Sequence, residues 1–268
     1  MVESSNQPYL TLNNGRKVPQ LGLGTFLSSE GNVEPVVKSA ILEHGYRHID
    51  TASFYKNEEA IGRAIQECLA QGIKREELFI TTKIHQEEKD DVEAAVRRSL
   101  KKLQLEYIDL YLIHWMFPKV ENGEILNTPL HKVWGELERL VEAGLIKNIG
   151  VSNCTVALLI DLWSYAKIKP VMNQIELHPY LPQFALVDFL QKKLGVHVTA
   201  YSPIGASGFE YKSAALKSLN LFTEPQIVRL AEKYGKSPAQ IVLNWHVQHR
   251  GHVVIPKTTK VERLSENL

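Results

Sequence analysis

Four reactive side chains stand at the ends of short apolar runs, and their types suit acid chemistry on a carbonyl group. The stretch from Gly45 to Gly62, GYRHIDTASFYKNEEAIG, places Asp50 five residues before Tyr55 at a strand-to-loop junction. Lys83 ends the run LFITTK, and His114 ends IDLYLIH. A tyrosine accompanied by a carboxylate, an ammonium and an imidazole can protonate a carbonyl oxygen, provided that the fold gathers all four. Taken singly, a strand-end Asp, Lys or His is more often a surface group or half of an ion pair. Their recurrence at successive junctions points to one shared site.

The elements that must position them are legible as alternating patterns. Apolar runs at 20–26 (QLGLGTF), 48–50 (HID), 78–84 (LFITTKI), 108–114 (IDLYLIH), 149–153 (IGVSN), 171–177 (VMNQIEL), 198–203 (VTAYSP) and 252–256 (HVVIP) read as eight parallel strands. Between them lie helical segments such as VEPVVKSAILEHG, NEEAIGRAIQECLAQG and DVEAAVRRSLKKLQ. In the last, Val92, Val96, Leu100 and Leu103 share one face. Gly45, Gly72, Gly144, Gly195 and Gly235 each follow a helical pattern, where a residue free to take positive φ can cap it. YLTLNNGRKVPQL reads as a hairpin turning at Asn13, Asn14 and Gly15, placed to plug the bottom of a barrel. Eight strand-helix units without a linker, repeat or low-complexity tract favour one α/β domain over residues 1–268. The expected fold is a single (β/α)₈ TIM barrel and not a doubly wound sheet. In such a barrel Asp50, Lys83, His114, Ser152, Asn153, Gln174 and Tyr201 all fall at the C-terminal strand ends, where chemistry sits.

Composition excludes several functional classes. Thirty-one Lys plus Arg against thirty Asp plus Glu leave a formal charge of +1, which argues against nucleic acid or an anionic membrane as the main partner. Cys68 and Cys154 are the only cysteines and share no metal-like spacing, so a reducing compartment is expected. The start MVESSNQPYL lacks the basic and apolar regions of a signal peptide, and no run of about 18 apolar residues could span a bilayer. Cytoplasm is the expected location and a monomer the expected state. His246, His249 and His252 recur every third residue, but Gly251 interrupts the pattern and no acid or thiolate joins them, so no metal site is assigned. Gly22–Leu27 (GLGTFL) has a GxG without a third glycine and lies on a barrel strand, so its glycines are read as close backbone packing.

The motifs GYRHIDTASFYKNEEAIG, LYLIHW, IGVSN, NQIELHPY, AYSPIG and IPKTTKVERLSEN together resemble the aldo-keto reductases, NADP(H)-dependent enzymes on a (β/α)₈ barrel, and above all the branch containing aldose reductase. The resemblance runs from about Leu21 to Asn267. It implies that Tyr55 is the proton donor to the carbonyl of an aldehyde, aldose or ketone. A free tyrosine titrates near ~10 and is a feeble acid at neutral pH, so it needs a nearby cation. Lys83 fits that role, Asp50 would hold the ammonium, and neutral His114 would orient the carbonyl. The nicotinamide would stack on Tyr201, with its carboxamide held by Ser152, Asn153 and Gln174. Thr25, Ser202 and Ile204 complete the expected cofactor contacts. Lys257, Thr258 and Arg263 match the family's contacts to the 2′-phosphate, which implies a preference for NADPH. Asn267 matches a contact to adenine.

Departures limit what carries over about substrate. Trp115 is followed by Met116 where the family reads Trp-Pro, and the loop to about Thr128 looks short. Phe26 stands where the aldose reductase branch has tryptophan, and Phe26, Trp115 and His114 are the expected substrate contacts, with the Ser202 to Phe222 segment shaping the remaining wall. Cys154 replaces an aromatic residue. The chain stops at Leu268 where family members continue through a helix and a covering loop, so a truncated C-terminal end is expected. The alternative function is an NADP(H)-binding regulatory or interaction protein on the same barrel, with little turnover.

Overall fold

The computed structural model describes residues 7–126, 128–205 and 220–268. Eight parallel strands form its central sheet, in the order β3 (Leu23–Gly24), β4 (His48–Asp50), β5 (Phe79–Ile84), β6 (Leu110–Ile113), β9 (Ile149–Ser152), β10 (Met172–Glu176), β11 (His197–Tyr201) and β12 (Val253–Val254). All eight expected strands are present, most trimmed by one or two residues at an end, the first cut from 20–26 to Leu23–Gly24, and the seventh starting one residue earlier at His197. The sheet closes on itself, because Gly22 N donates to Val254 O at 2.8 Å and Val254 N to Gln20 O at 2.7 Å. The first strand is shorter than its apolar run. Gly24 N donates to Pro256 O at 3.1 Å, but Pro256 has no N–H to return, so the ladder is interrupted there and leaves only isolated bridges, Leu21 with Val254 and Gly24 with Lys257. A Cβ on Gly24 would lie 2.6 Å from Ile255 O, so this glycine is what lets the last strand approach the first.

The hairpin pairs β1 (Tyr9–Thr11) with β2 (Lys17–Pro19) antiparallel. It plugs the barrel as expected: Leu12 and Val18 are buried together with Phe79, Leu110, Leu112, Val171, Met172 and Val253. A larger apolar layer lies between the strands and the surrounding helices. There α1 (Glu30–Leu42) packs on α2 (Glu58–Ala70), and α2 on α3 (Val92–Leu103). The α3 stripe Val92, Val96, Leu100 and Leu103 is buried, worth about 1.5–3 kcal/mol for each side chain removed from water. Asp91 caps this helix by accepting from Ala94 N at 3.0 Å. The five glycines after helical patterns all take positive φ, between 61° and 100°.

One element of this fold escaped the sequence reading. The loop after β6 contains a second hairpin, β7 (Lys119–Glu121) with β8 (Glu124–Leu126). Asn122 and Gly123 turn it at φ 51° and 81°. The Asn-Gly pair is the sequence signal for such a turn. The remaining helices include α4 (Leu130–Glu142), α5 (Val156–Tyr165), α6 (Phe184–Asp188), α7 (Pro225–Tyr234), α8 (Pro238–Asn244) and the short α9 (Leu264–Asn267). No helix among the described residues is long and apolar enough to cross a membrane.

Candidate active site

Strand register brings Asp50 and Lys83 together across one neighbouring pair. β4 and β5 align Asp50 with Thr81, so Lys83 lies two residues further along on the same face. Lys83 is fully buried and its Nζ donates to Asp50 Oδ1 at 2.6 Å and to Thr51 O at 2.7 Å. Burial lowers the Lys83 pKa against the opposing pull of Asp50, which stabilises the ammonium. The other carboxylate oxygen, Oδ2, accepts from Gln174 Nε2 at 2.7 Å. The acid is therefore held from both sides.

Tyr55 ends a 3₁₀ turn, Ser53–Tyr55, which follows β4 directly. The Lys83 ammonium lies 5.1 Å from the centroid of its ring. Tyr55 meets His114 edge-on at 5.6 Å and Phe26 at 5.0 Å. The turn is anchored by Ser53 Oγ, which donates to Lys83 O at 3.1 Å and also to Glu88. His114 is buried, and its pKa is pushed down to about 3 by burial, aided by Lys83 and His85. It is neutral at physiological pH. Its Nδ1 is buried without a partner among the described residues, while Asn153 Nδ2 donates to its backbone carbonyl at 3.1 Å.

These side chains open onto a cavity of about 970 Å³ lined by Asp50, Tyr55, His114 and Lys257. Thr25, Phe26, Trp115, Ser152, Asn153, Gln174, Tyr201, Ser202 and Ile204 also line it. Lys83 lies behind the wall, within reach of Tyr55 but out of the cavity. The wall is already knitted together: Tyr201 Oη donates to Asn153 Oδ1 at 3.0 Å, and Asn153 Nδ2 to Ser152 Oγ at 3.1 Å. Thr25 Oγ1 donates to the Asp50 carbonyl at 2.9 Å, so its hydroxyl ties β3 to β4. Lys257 forms no ion pair among the described residues, and burial alone lowers its pKa. A half-buried cation without a carboxylate, lining the same cavity, suits an anionic group of a bound ligand.

The remaining expected contacts do not line this cavity. Thr258 is buried, with its Oγ1 donating to Lys260 O at 3.1 Å. Arg263 is exposed, and Asn267 ends the short helix whose Leu264 carbonyl accepts from the Tyr46 phenol at 3.0 Å. Of the Ser202 to Phe222 segment, 206–219 lie outside the described residues; its two flanks contribute Ser202, Pro203, Ile204, Gly205 and Phe222 to the lining.

Several positioning groups were not found from sequence. Asn57 is buried, donating from Nδ2 to Thr25 O at 3.0 Å and Ser28 O at 3.2 Å and accepting from Thr51 Oγ1 at 2.8 Å. It locks the loops after β3 and β4 together. Lys89 Nζ donates to Trp115 O at 2.8 Å and Phe117 O at 3.0 Å, which straps the loop carrying Trp115. Phe54 also lines the cavity and stacks on His85 at 4.6 Å. An aromatic next to Tyr55 was a visible signal for Phe54. Nothing local marks Lys89 or Asn57.

The comparisons agree with this geometry. The family model described as "Aldo/keto reductase family" matches residues 20–268. Aldo-keto reductase family 1 member A1 of Gallus gallus is 44% identical, across 99% of this chain and 84% of the relative. Its Homo sapiens counterpart is 43% identical, across 96% and 82%. Among solved structures, a Bombyx mori aldo-keto reductase in complex with NADP superposes with a TM-score of 0.89 at 38% identity, covering 97% of this chain and 86% of that one. The aldose reductase from Schistosoma japonicum gives 0.85 at 37%, with the same coverage. With a barrel closed on Gly24, a buried Lys83–Asp50 pair beside Tyr55, and matches over nearly its whole length, this chain belongs to the aldo/keto reductase family.

Proposed function

We propose that this protein reduces an aldehyde, aldose or ketone to the alcohol with NADPH, Tyr55 supplying the proton. The observation that carries this is the buried Lys83–Asp50 pair beneath Tyr55, with neutral His114 edge-on to the same ring in one cavity. The relative solved with NADP supports the cofactor, and the aldose reductase supports the substrate class. Bound NADPH supplies the hydride. Tyr201, Ser152, Asn153 and Gln174 would hold its nicotinamide end, with Thr25, Ser202 and Ile204 along the wall. Lys257, Thr258 and Arg263 would take the 2′-phosphate and Asn267 the adenine.

Within that arrangement the chain's own groups handle one proton. His114 stays neutral and donates a hydrogen bond to the carbonyl oxygen, which fixes the carbonyl against Tyr55. The Tyr55 hydroxyl gives its proton to that oxygen as negative charge develops there, and the phenolate left behind faces the Lys83 ammonium. Solvent then restores the proton. Phe26, Phe54 and Trp115 line the same cavity, so that apolar substrate groups would displace water from it. We read the chain as a monomeric cytoplasmic enzyme acting as one domain over residues 1–268.

The test is loss of NADPH absorbance with a panel of aldehydes, sugars and ketones. Tyr55→Phe should retain NADPH binding and lose roughly 10²- to 10⁴-fold in turnover. Survival of turnover in this variant would remove Tyr55 as the acid.

A further inference from the structure

Two buried imidazoles outside the acid-base cluster form a relay that ends on the cofactor wall. α8 continues into a π-helical turn, Trp245–His249, whose wider winding rotates His246 inward while His249 stays exposed. The chain then reverses at Gly251, φ 61°, and His252 N donates to His246 O at 3.0 Å. Gln20 Nε2, at the start of the barrel, donates to His252 O at 3.3 Å. As a result His246 Nδ1 lies 3.1 Å from His252 Nδ1, and His246 Nε2 lies 3.1 Å from Pro203 O. Trp245 packs edge-on against both rings, at 4.7 and 6.4 Å.

The partners dictate the tautomers. A carbonyl oxygen only accepts, so His246 Nε2 carries the proton. Burial pushes the His246 and His252 pKa values down to about 4 and about 3, so each ring has one proton at neutral pH. His246 Nδ1 is then bare and must accept, which makes His252 Nδ1 the donor. His252 Nε2 is left as a bare acceptor, and that atom is the one buried without a partner among the described residues. The direction of donation is therefore unique, from His252 to His246 to Pro203.

Pro203 stands in a turn that needs holding. Ser202 before it takes φ 48°, a left-handed conformation that a non-glycine residue keeps only when its surroundings enforce it. Gly205 N donates to Ser202 O at 2.9 Å from the other side. Tyr201, Ser202, Pro203 and Ile204 all line the cavity. We propose that His246 is a positioning residue for the cofactor: by gripping the Pro203 carbonyl it sets the turn that presents Tyr201 and Ser202 to the nicotinamide end. This rests on the reading of those two residues as cofactor contacts.

Fluorescence titration with NADPH tests both levels separately. If the unaltered chain does not bind NADPH, the cofactor reading itself fails. If it binds, His246→Leu should weaken NADPH about tenfold and raise its KM in parallel, as loss of a buried hydrogen bond does. The kcat at saturating NADPH should be little changed, and His246→Gln, which keeps an N–H donor, should recover most of the affinity. Equal affinity of the Leu variant and the unaltered chain, or no difference between Leu and Gln, would overturn the proposal. Should His246→Leu not fold, imidazole nitrogen shifts of the unaltered protein decide. The expected pattern is Nε2–H on His246 and Nδ1–H on His252, with the His246 signal moving on NADPH addition. The opposite tautomers, or an unmoved signal, would refute it.

Discussion

Replacing Lys83 by methionine asks how much of the acid function is electrostatic. The ammonium lies 5.1 Å from the Tyr55 ring centroid. At an effective dielectric constant of about 20, unit charges at that separation attract by about 3 kcal/mol, which is roughly 10²-fold in rate if realised only as the phenolate forms. Lys83→Met alone carries a second effect. It strips the ammonium from Asp50, leaving a buried carboxylate that still accepts from Gln174 but has lost its counter-charge, at a cost of about 3–5 kcal/mol in stability. Asp50→Asn combined with Lys83→Met removes that stranded charge. Single-turnover reduction at saturating NADPH should therefore fall roughly 10²-fold in both variants. Urea melts should separate them, the single variant losing stability and the double variant regaining most of it. A folded Lys83→Met protein whose single-turnover rate stays within about threefold of the parent would refute the electrostatic argument.

Other consequences can be checked independently. Arg263→Ala should weaken NADPH by roughly 10- to 10²-fold and NADH hardly at all, as loss of a charged hydrogen bond to the 2′-phosphate would. Equal losses for both cofactors in parallel titrations would remove that role. Stability should fall in mild acid, because His48, His114, His246 and His252 have pKa values pushed down to about 4, 3, 4 and 3 by burial. The unfolded chain takes up protons at these sites below about pH 6.5 and the folded one does not, so stability present above that pH is lost as pH falls, at about 2 kcal/mol per histidine between pH 7 and pH 5. Urea unfolding at those two pH values measures it, and an unchanged midpoint would contradict the neutral assignments.

The comparison of sequence with structure separates two kinds of information. Strands β4, β5, β9 and β10 were readable because each is an apolar run whose chemistry-bearing residue sits at its C-terminal end, and the glycine caps were readable because they obey local φ requirements. The β7–β8 hairpin was readable too, since Asn122-Gly123 is a turn signal contained in two residues. It was passed over because the flanking strands are short and partly charged.

Sequence alone pointed to the barrel, through apolar periodicity, to Asp50, Tyr55, Lys83 and His114 as candidates, through strand-end position, and to the family, through short motifs, since all of these are properties of neighbouring residues. Tertiary structure decided how those side chains are held. Gln174 reaches Asp50 across 124 positions, Asn57 joins two loops, Lys89 straps the Trp115 loop, and His246 reaches Pro203 across 43. None of these has a local signature, because a buried polar group is selected by whichever unsatisfied partner the closed fold brings within hydrogen-bonding distance, and that distance exists only once the first strand has met the last.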